Sequence, residues 1–296
     1  MPGRQAKEKI IRRTFFVLAS AGILTLLAIA LFLFIEGFPI FRGTSVQSFF
    51  LGLYWYPTSD PPDFGILALM VGSLSVVAVS AAVAVPLGLA TAVYLAEIAS
   101  PRMREIAKPV VELLAALPSV VIGFFGMVVV APFLQQTFDL PTGLNALNAG
   151  LMLAFMSVPT ICSLSEDALY AVPNSLREAS LALGATHLET IVRVVLPASI
   201  SGIGTAVILG LSRAMGETMV VLMVAGGAAM IPESLFDSVR PMTATIAAEM
   251  AEAPVGGSHY HALFAVGAVL FLFTFAFNLV ADWISHRFRQ VGEASL

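Results

Sequence analysis

The chain has 296 residues, of which 58% are apolar and 11% are charged, whereas an average soluble domain has about 25% charged residues. Its mean hydropathy is +0.92. This composition excludes a disordered chain and an ordinary soluble enzyme, and it predicts a polytopic membrane protein. The single cysteine, Cys162, excludes an internal disulfide and a cysteine-based metal cluster.

Six apolar runs are long enough to cross a bilayer, which takes about 20 mostly uncharged residues. Four of the predicted spans are residues 14–35, 64–96, 200–230 and 262–281, and the runs 113–138 and 140–165 contain the third and fourth spans. The fifth contains two charged residues, Arg213 and Glu217. The segment 1–13 before the first span is amphipathic, and we expect it to lie along the inner membrane surface.

The basic residues fall mostly on one side of this topology. Of the 15 Lys and Arg residues, twelve lie in the two termini and in the loops after the second and fourth spans, and only Arg42 and Arg240 lie on the other side. Because basic flanks of spans stay in the cytoplasm, this split predicts that both termini are cytoplasmic.

The outer loops contain aromatic and histidine residues that invite two interpretations. Tyr54-Trp55-Tyr56 is typical of an aromatic belt at the membrane interface. His259 and His261 suggest a metal site, but they lack a third ligand, so we expect them to be solvated and predict no metal site.

The longest structured polar stretch is the cytoplasmic loop 166–197. Ser175-Leu-Arg-Glu178 and Thr186-His-Leu-Glu189 both match a capping box, which predicts two short helices. Gly184 is expected to end the first helix, and Pro197 the second. The loop is either a connector on the membrane surface or a docking element for a partner. Binding to nucleic acid is disfavoured because its basic and acidic residues balance.

This loop resembles the EAA loop of ABC importer permeases. Glu178-Ala179-Ser180, Gly184, Val194 and Leu196-Pro197 stand at the spacing of the pattern E-A-A-x3-G-x9-I-x-L-P, with Ser180 and Val194 as mild departures. The resemblance implies that Glu178, Ala179, Gly184, Leu196 and Pro197 serve coupling to an ATPase subunit. The three lysines form no G-x-x-x-x-G-K-[ST] phosphate loop, so any ATP would be hydrolysed on another chain.

Two further segments narrow the resemblance to phosphate permeases of the Pst type. Leu117-Pro-Ser-Val-Val-Ile-Gly-Phe-Phe-Gly126 is similar to their third span, and Ser212-Arg-Ala-Met-Gly-Glu-Thr218 resembles their R-A-x-G-E-T signature. Thr243-Ala-Thr-Ile-Ala-Ala-Glu249 and the last span are similar to the PstC subunit. The resemblance implies a second permease (PstA-like), an ATPase dimer (PstB-like) that binds ATP and Mg, and an outer phosphate-binding protein (PstS-like). Another oxyanion remains open as the cargo.

Arg213 and Glu217 are the candidate cargo site within the membrane, with Thr218 beside them. Four residues apart in a helix, they would lie one turn apart on one face. A guanidinium offers a planar fork of donors that suits phosphate oxygens. The alternative is an ion pair within the helix that only orients the fifth span. The nearby stripe of Gly202, Ala206, Gly210 and Ala214 is expected to be a packing surface for another helix.

The sequence therefore predicts an all-α polytopic membrane protein with the six-span fold of a type I ABC importer permease. Residues 1–13 form the N-terminal segment, 14–289 the permease domain with its coupling loop, and 290–296 a cytoplasmic tail. We expect a bacterial inner-membrane subunit with no catalytic residue, no cofactor of its own and no nucleic-acid partner. An ion-gradient-driven transporter is the alternative, but it would leave the EAA-like loop without a task.

Overall fold

The protein is described by a computed structural model that covers residues 2–287. The tail 290–296 and Arg289 lie outside the described residues. The helices are α1 (Pro2–Gly37), α2 (Val46–Leu51), α3 (Leu67–Val93), α4 (Pro101–Ala115), α5 (Ser119–Phe125), α6 (Ala131–Phe138), α7 (Ala146–Tyr170), α8 (Asn174–Ala182), α9 (His187–Thr190), α10 (Leu196–Met215), α11 (Met219–Val224), α12 (Met242–Glu249) and α13 (Ser258–Arg287).

Short irregular helices and one small hairpin complete the architecture. A 3-10 turn follows α1 at Phe38–Arg42, and π-helical turns occupy Tyr94–Ile98, Gly126–Val130 and Ile191–Val195. Strands β1 (Trp55–Tyr56) and β2 (Asp63–Phe64) pair antiparallel, with Trp55 opposite Phe64. The all-α prediction holds, with this two-residue hairpin as the regular β-structure of the first outer loop.

The predicted number of spans is confirmed within the part of the chain that the structure describes. Six continuous helical segments there are long and apolar enough to cross a membrane: Lys7–Arg42, Leu67–Ile98, Ser119–Phe138, Ala146–Tyr170, His187–Met215 and Ser258–Val280. Residues 2–13 form the first turns of α1, which runs without a break into the first span. They therefore prolong the first span, and a separate surface helix is not formed.

The third span lies within its predicted run of residues 113–138 and begins at Ser119. Residues 101–115 form α4, an amphipathic helix that ends before Pro118 and is separate from the span. Proline disfavours the helical conformation of the residue before it, so the helix ends before Pro118 and a new helix begins at Ser119. The fourth span begins at Ala146, because Asn145 caps it by accepting a hydrogen bond from the Asn148 N–H at 2.9 Å.

The fifth span differs from its prediction at both ends. It begins at His187, inside the cytoplasmic loop, and passes through Pro197, so the prediction that a loop helix ends near Pro197 is wrong. The π-helical turn Ile191–Val195 explains the difference. Its hydrogen bonds reach back five residues, as the Leu196 N–H does to the Ile191 carbonyl, and this wider turn accommodates a residue without an N–H.

Helix α7 lies at the centre of the bundle, packed between α3 and α10. Glycines permit these close approaches: a Cβ at Gly150 would lie 2.4 Å from Val79 Cβ, and one at Gly88 would lie 2.8 Å from Ile161 Cγ2. Helix α1 packs against α13, where Gly37 meets the Ala265 backbone, and its remaining apolar surface is exposed. The exposed surface of α1 is therefore available to lipid or to a neighbouring subunit.

A largely buried polar cluster around Glu249 joins the predicted outer loops of the chain. Its carboxylate accepts a hydrogen bond from Trp55 Nε1 at 2.9 Å, and it also contacts Arg240 Nη1 at 2.6 Å and His259 Nε2 at 2.9 Å. Trp55 is 2% exposed, so the aromatic-belt prediction is wrong for it, although Tyr54 and Tyr56 are exposed.

The two outer histidines are likewise held by protein contacts. His259 is mostly buried in the cluster around Glu249, and His261 Nδ1 lies 2.7 Å from the Glu36 carbonyl oxygen. The expectation that they are solvated is therefore wrong. Within the described residues, no group of three His, Cys, Asp or Glu side chains is placed to hold a metal ion.

Candidate functional site

The segment between the fourth and fifth spans forms two short helices joined by a tight turn. Helix α8 ends in a Schellman motif: the Gly184 N–H donates to Leu181 O at 3.0 Å, and the Ala185 N–H donates to Ser180 O at 3.3 Å. Gly184 has φ +87°, a left-handed conformation that strains residues with a Cβ. The predicted helix, glycine turn and second helix are thus present.

One of the two predicted capping boxes forms. The Thr186 hydroxyl accepts a hydrogen bond from the Glu189 N–H at 3.3 Å, and Glu189 Oε2 accepts one from the Thr186 N–H at 2.9 Å. The box at Ser175 is wrong, because the N-cap of α8 is Pro173, two residues before Ser175, and it makes no side-chain hydrogen bond. Ser175 therefore lies inside the helix, beyond the position from which a side chain caps.

Most of the predicted coupling residues lie on an exposed face of this segment. Glu178, Ala179, Gly184 and Pro197 are exposed, whereas Leu196 is half-buried against the apolar cluster at the ends of the second and fourth spans. Ala179 and Gly184 also line a cavity of about 560 Å³ between α8 and the start of the fifth span. Large apolar side chains are also unusually exposed here: Leu183 at 90%, Leu188 at 67%, Leu181 at 46% and Leu176 at 44%.

We call this exposed face, formed by residues 176–194, the docking face. Its two helices are tied to each other by a contact of 3.0 Å between the Ser180 and Thr190 hydroxyls. A contiguous exposed apolar surface rimmed by polar groups is typical of a protein or membrane interaction site. The docking face has this chemistry, and the polar contact joins its two sides.

An ion pair holds α4 against the end of the fourth span. Lys108 Nζ lies 3.3 Å from Glu166 Oε2 and 3.6 Å from Asp167 Oδ1, and the Glu166 side chain is 1% exposed. Burial lowers the pKa of Lys108, but the hydrogen bond and the negative charge of Glu166 outweigh it, so the pKa is raised above its usual value. The buried carboxylate therefore keeps a cationic partner at neutral pH.

The signature at the end of the fifth span forms a turn, which corrects the predicted geometry of its charges. Helix α10 ends at Met215 with Gly216 as its C-cap, and α11 starts at Met219. Arg213 and Glu217 therefore do not lie on one helix face, and no ion pair joins them among the residues described. The alternative of an ion pair within the helix is excluded by the same break.

Glu217 instead caps the next helix. Its Oε1 accepts hydrogen bonds from the Met219 N–H at 3.1 Å and the Val220 N–H at 3.4 Å, and its carbonyl accepts one from the Thr243 hydroxyl at 2.8 Å. A carboxylate is favoured at the positive end of a helix. Thr218 is the N-cap residue of α11, and its hydroxyl donates to Gly216 O at 3.4 Å. Glu217 and Thr218 thus shape the turn.

Arg213 occupies the last turn of α10, where a cation interacts favourably with the helix dipole. It is exposed, and within residues 2–287 no hydrogen bond or ion pair engages its side chain. Leu209, one turn earlier, is exposed on the same side. Helix α10 therefore presents an exposed stripe of Leu209 and Arg213 that ends in a charge.

The small-residue stripe of α10 faces the opposite way and packs as predicted. Ala206, Gly210 and Ala214 are buried, and the chain at Gly202 and Gly210 comes so close to α7 that a Cβ would lie 2.5 Å from Ala168 Cβ and from Ile161 Cγ1. This contact fixes the rotation of α10 about its own axis. It thereby holds the stripe bearing Arg213 away from α7.

The fold and the two sites define an integral membrane permease subunit. Residues 84–290 match the family model described as a binding-protein-dependent transport system inner membrane component, and the chain belongs to this family. The predicted location in the inner membrane and the resemblance to ABC importer permeases are therefore confirmed. The position of the termini stays a prediction.

Relatives and solved structures agree with this assignment. The chain is 40% identical to the probable ABC transporter permease protein YqgH of Bacillus subtilis, covering 88% of this chain and 85% of that protein. It is 38% identical to the phosphate transport system permease protein PstC of Mesorhizobium japonicum, covering 81% and 78%. The PstC-like resemblance is thus confirmed.

Two solved transporters share the fold at lower sequence identity. A subunit of a bacterial alginate ABC transporter superposes with a TM-score of 0.64 at 16% identity, covering 95% of this chain and 98% of that one. A subunit of the methionine ABC transporter MetNI superposes with a TM-score of 0.60 at 21% identity, covering 78% and 99%. At these identities the similarity establishes the architecture of the bundle, and not the cargo.

Proposed function

We propose that this chain and a second permease subunit form the membrane path of an ATP-driven importer of inorganic phosphate. The observation that carries the proposal is the 38% identity with a protein named as a phosphate transport system permease, over 81% of this chain. The chain itself performs no covalent chemistry in this function. It supplies the membrane path and the surface through which ATP hydrolysis on a partner subunit is coupled to transport along that path.

The exposed stripe of α10 supports both an anionic cargo and a second subunit. A charged side chain in a membrane protein faces protein or water, because exposure to hydrocarbon is costly. Arg213 finds no such cover within the described part of this chain, so we expect a second permease to complete its surroundings. Its guanidinium would then offer donors in a fork that matches a tetrahedral oxyanion.

The docking face supports coupling to an ATPase. It carries exposed leucines where the distribution of Lys and Arg predicts the cytoplasmic side. An ATPase dimer that binds ATP and Mg would meet the exposed Glu178 and Ala179 on α8. A phosphate-binding protein would dock on the opposite side, at the loops that the cluster around Glu249 joins.

Uptake of radiolabelled phosphate into vesicles that contain the assembled transporter tests the cargo. We expect uptake to require ATP and to be inhibited more strongly by excess phosphate than by sulfate or molybdate. If sulfate or molybdate is the stronger competitor, the cargo is another oxyanion. Uptake that follows an ion gradient without ATP would instead establish a secondary transporter.

Substitutions in the signature turn test the role of Arg213. Arg213→Gln should abolish uptake while the complex still assembles, and Arg213→Lys should retain little activity because an ammonium lacks the planar fork. Glu217→Gln is the matched control, because the amide oxygen still accepts the two N–H bonds of α11 and the effect should be mild. Normal phosphate uptake by Arg213→Gln would place the anion path elsewhere.

Gly184 offers a test of the docking face. Gly184→Val places a β-branched residue at φ +87°, which costs about 1 kcal/mol or more, and should displace α8. Gly184→Asn is the control, since Asn tolerates the left-handed region. We expect uptake to fall in the valine variant and to persist in the asparagine variant. Wild-type uptake and ATPase association in Gly184→Val would remove this turn from the mechanism.

A further inference from the structure

Arg177 of α8 connects the docking face to the ends of two spans. Its Nη2 donates to Glu97 Oε1 at 2.7 Å and to the Leu169 carbonyl oxygen at 2.9 Å. Its Nη1 donates to the Val172 carbonyl oxygen. Glu97 belongs to the π-helical turn that ends the second span, and Leu169 lies in the last turn of α7, the fourth span. One guanidinium of α8 therefore bonds to the ends of two spans.

The acceptors explain why an arginine stands here. The last carbonyls of a helix have no partner within the helix, and Arg177 donates to one of them, that of Leu169, and to the Val172 carbonyl just beyond the helix end. The side chains of Arg177 and Glu97 are 18% and 7% exposed, so their ion pair is largely shielded from water. Lysine carries the same charge, but it lacks the planar set of donors that reaches separate acceptors at once.

A second arginine, in α4, contacts the ends of the same two spans. Arg104 of α4 donates to the Leu95 and Ala96 carbonyl oxygens, both at 2.8 Å, and its guanidinium lies 4.8 Å from the ring centre of Tyr170. The ends of the second and fourth spans therefore form one unit without α8. Of these two arginines, Arg177 is the one that belongs to α8, the first helix of the docking face.

We propose that Arg177 is the positioning residue that transmits movement of α8 to the second and fourth spans, with Glu97 as its anchor. The proposal rests on the proposed coupling to an ATPase. A displacement of α8 must either carry Glu97 and the end of α7 with it or break charge-assisted hydrogen bonds. Breaking them would leave a nearly buried carboxylate without its cation, which is strongly unfavourable. Joint movement is therefore the favoured response.

The test compares ATP hydrolysis with phosphate uptake in the complete transporter, reconstituted with its binding protein. For Arg177→Met we expect the ATPase to remain bound and active while the phosphate taken up per ATP hydrolysed falls about tenfold or more, as expected for the loss of hydrogen bonds to a charged group. Arg177→Lys should recover only part of the ratio. The control is Arg102→Met, which removes an exposed cytoplasmic arginine of α4 and should leave the ratio unchanged.

If Arg177→Met fails to assemble, Glu97→Gln tests the transmission role instead, because it removes the negative charge of Glu97 and preserves the shape of its side chain. The ratio should fall in this variant too, and in the double variant it should fall no further than in Arg177→Met. An unchanged ratio in Glu97→Gln, or uptake and hydrolysis that decline in parallel in both variants, would overturn the proposal.

Failure of the proposed function would be visible separately, in the wild-type protein. If wild-type vesicles take up no phosphate, the cargo is wrong, and Arg177 is then tested by the stimulation of ATP hydrolysis that the binding protein causes. That stimulation should be lost in Arg177→Met and retained in Arg102→Met. Its retention in Arg177→Met would overturn the transmission role.

Discussion

The close contact between α10 and α7 at Gly210 yields the sharpest quantitative prediction. A Cβ at Gly210 would lie 2.5 Å from Ile161 Cγ1 and 3.1 Å from Ile161 Cδ1, whereas carbon atoms pack at about 3.5–4.0 Å. Ile161 is fully buried and β-branched, so its side chain has little freedom to move aside. Gly210→Ala should therefore overpack this interface, at a cost of about 1–3 kcal/mol.

Gly204 provides a matched control on the same helix. A Cβ there meets nothing within 4 Å, so Gly204→Ala should show only the gain of up to about 1 kcal/mol from removing a glycine from a helix. That gain is common to both variants and cancels in their difference. The free energies of unfolding should thus differ by about 1–3 kcal/mol, with Gly210→Ala the less stable.

Thermal unfolding of the detergent-solubilised complex measures this difference, at about 2–4 °C for each kcal/mol in a protein of this size class. The clash also predicts a coupling. Ile161→Ala removes the atom that the new methyl group meets, so the double variant with Gly210→Ala should be more stable than the sum of the single effects implies. Equal melting temperatures for Gly210→Ala and Gly204→Ala would refute the packing of α10 on α7 described above.

Three further predictions concern topology, capping and the outer cluster. The first uses single cysteines in a background without the native cysteine. Val255 and Leu183 are both highly exposed, and the predicted topology places them on opposite sides of the membrane. In intact cells, Val255→Cys should therefore react with an impermeant thiol reagent and Leu183→Cys should not, and labelling of both would contradict the six-span topology. Thr186→Ala should lower stability by about 0.5–2 kcal/mol, measured by thermal unfolding, because it removes the N-cap of α9. Glu249→Gln should cost about 1.5–3 kcal/mol through weakened charge-assisted hydrogen bonds, whereas Glu252→Gln, three residues away and exposed, should leave the melting temperature unchanged.

The features that the sequence predicts correctly depend on residues close together in the chain. Span number follows from the length of apolar runs, because each run must satisfy its backbone within one helix. The turn at Gly184 and the capping box at Thr186 are likewise local, since each hydrogen bond joins residues fewer than six apart. The small-residue stripe of α10 follows from helical periodicity alone.

The features that the sequence misses depend on contacts between distant segments or on breaks inside apolar runs. Trp55 and Glu249 stand 194 residues apart, so nothing near Trp55 distinguishes a buried residue from one at the membrane interface. The end of α10 lies within an apolar run, and hydropathy does not register a turn there. Glu217 could pair with Arg213 or cap the following helix, and the break after Met215 decides between these roles.

Helix α10 ends after Met215, and this determines at what depth in the membrane an anion would meet Arg213 if the chain has the proposed function. Val195 packs with Leu95 and Leu169 at the ends of the second and fourth spans, which the predicted topology places at the cytoplasmic boundary. From Val195 to Arg213 the helix rises about 27 Å at 1.5 Å per residue, close to the full hydrocarbon thickness of about 30 Å. On this topology we expect Arg213 near the outer boundary, farther from the midplane than a span of residues 200–230 implies. An anion released on the outer side would reach this guanidinium before crossing the hydrocarbon layer. Arg213 is thus placed to offset the loss of hydration on entry, and the remaining passage would depend on groups that the second permease shares.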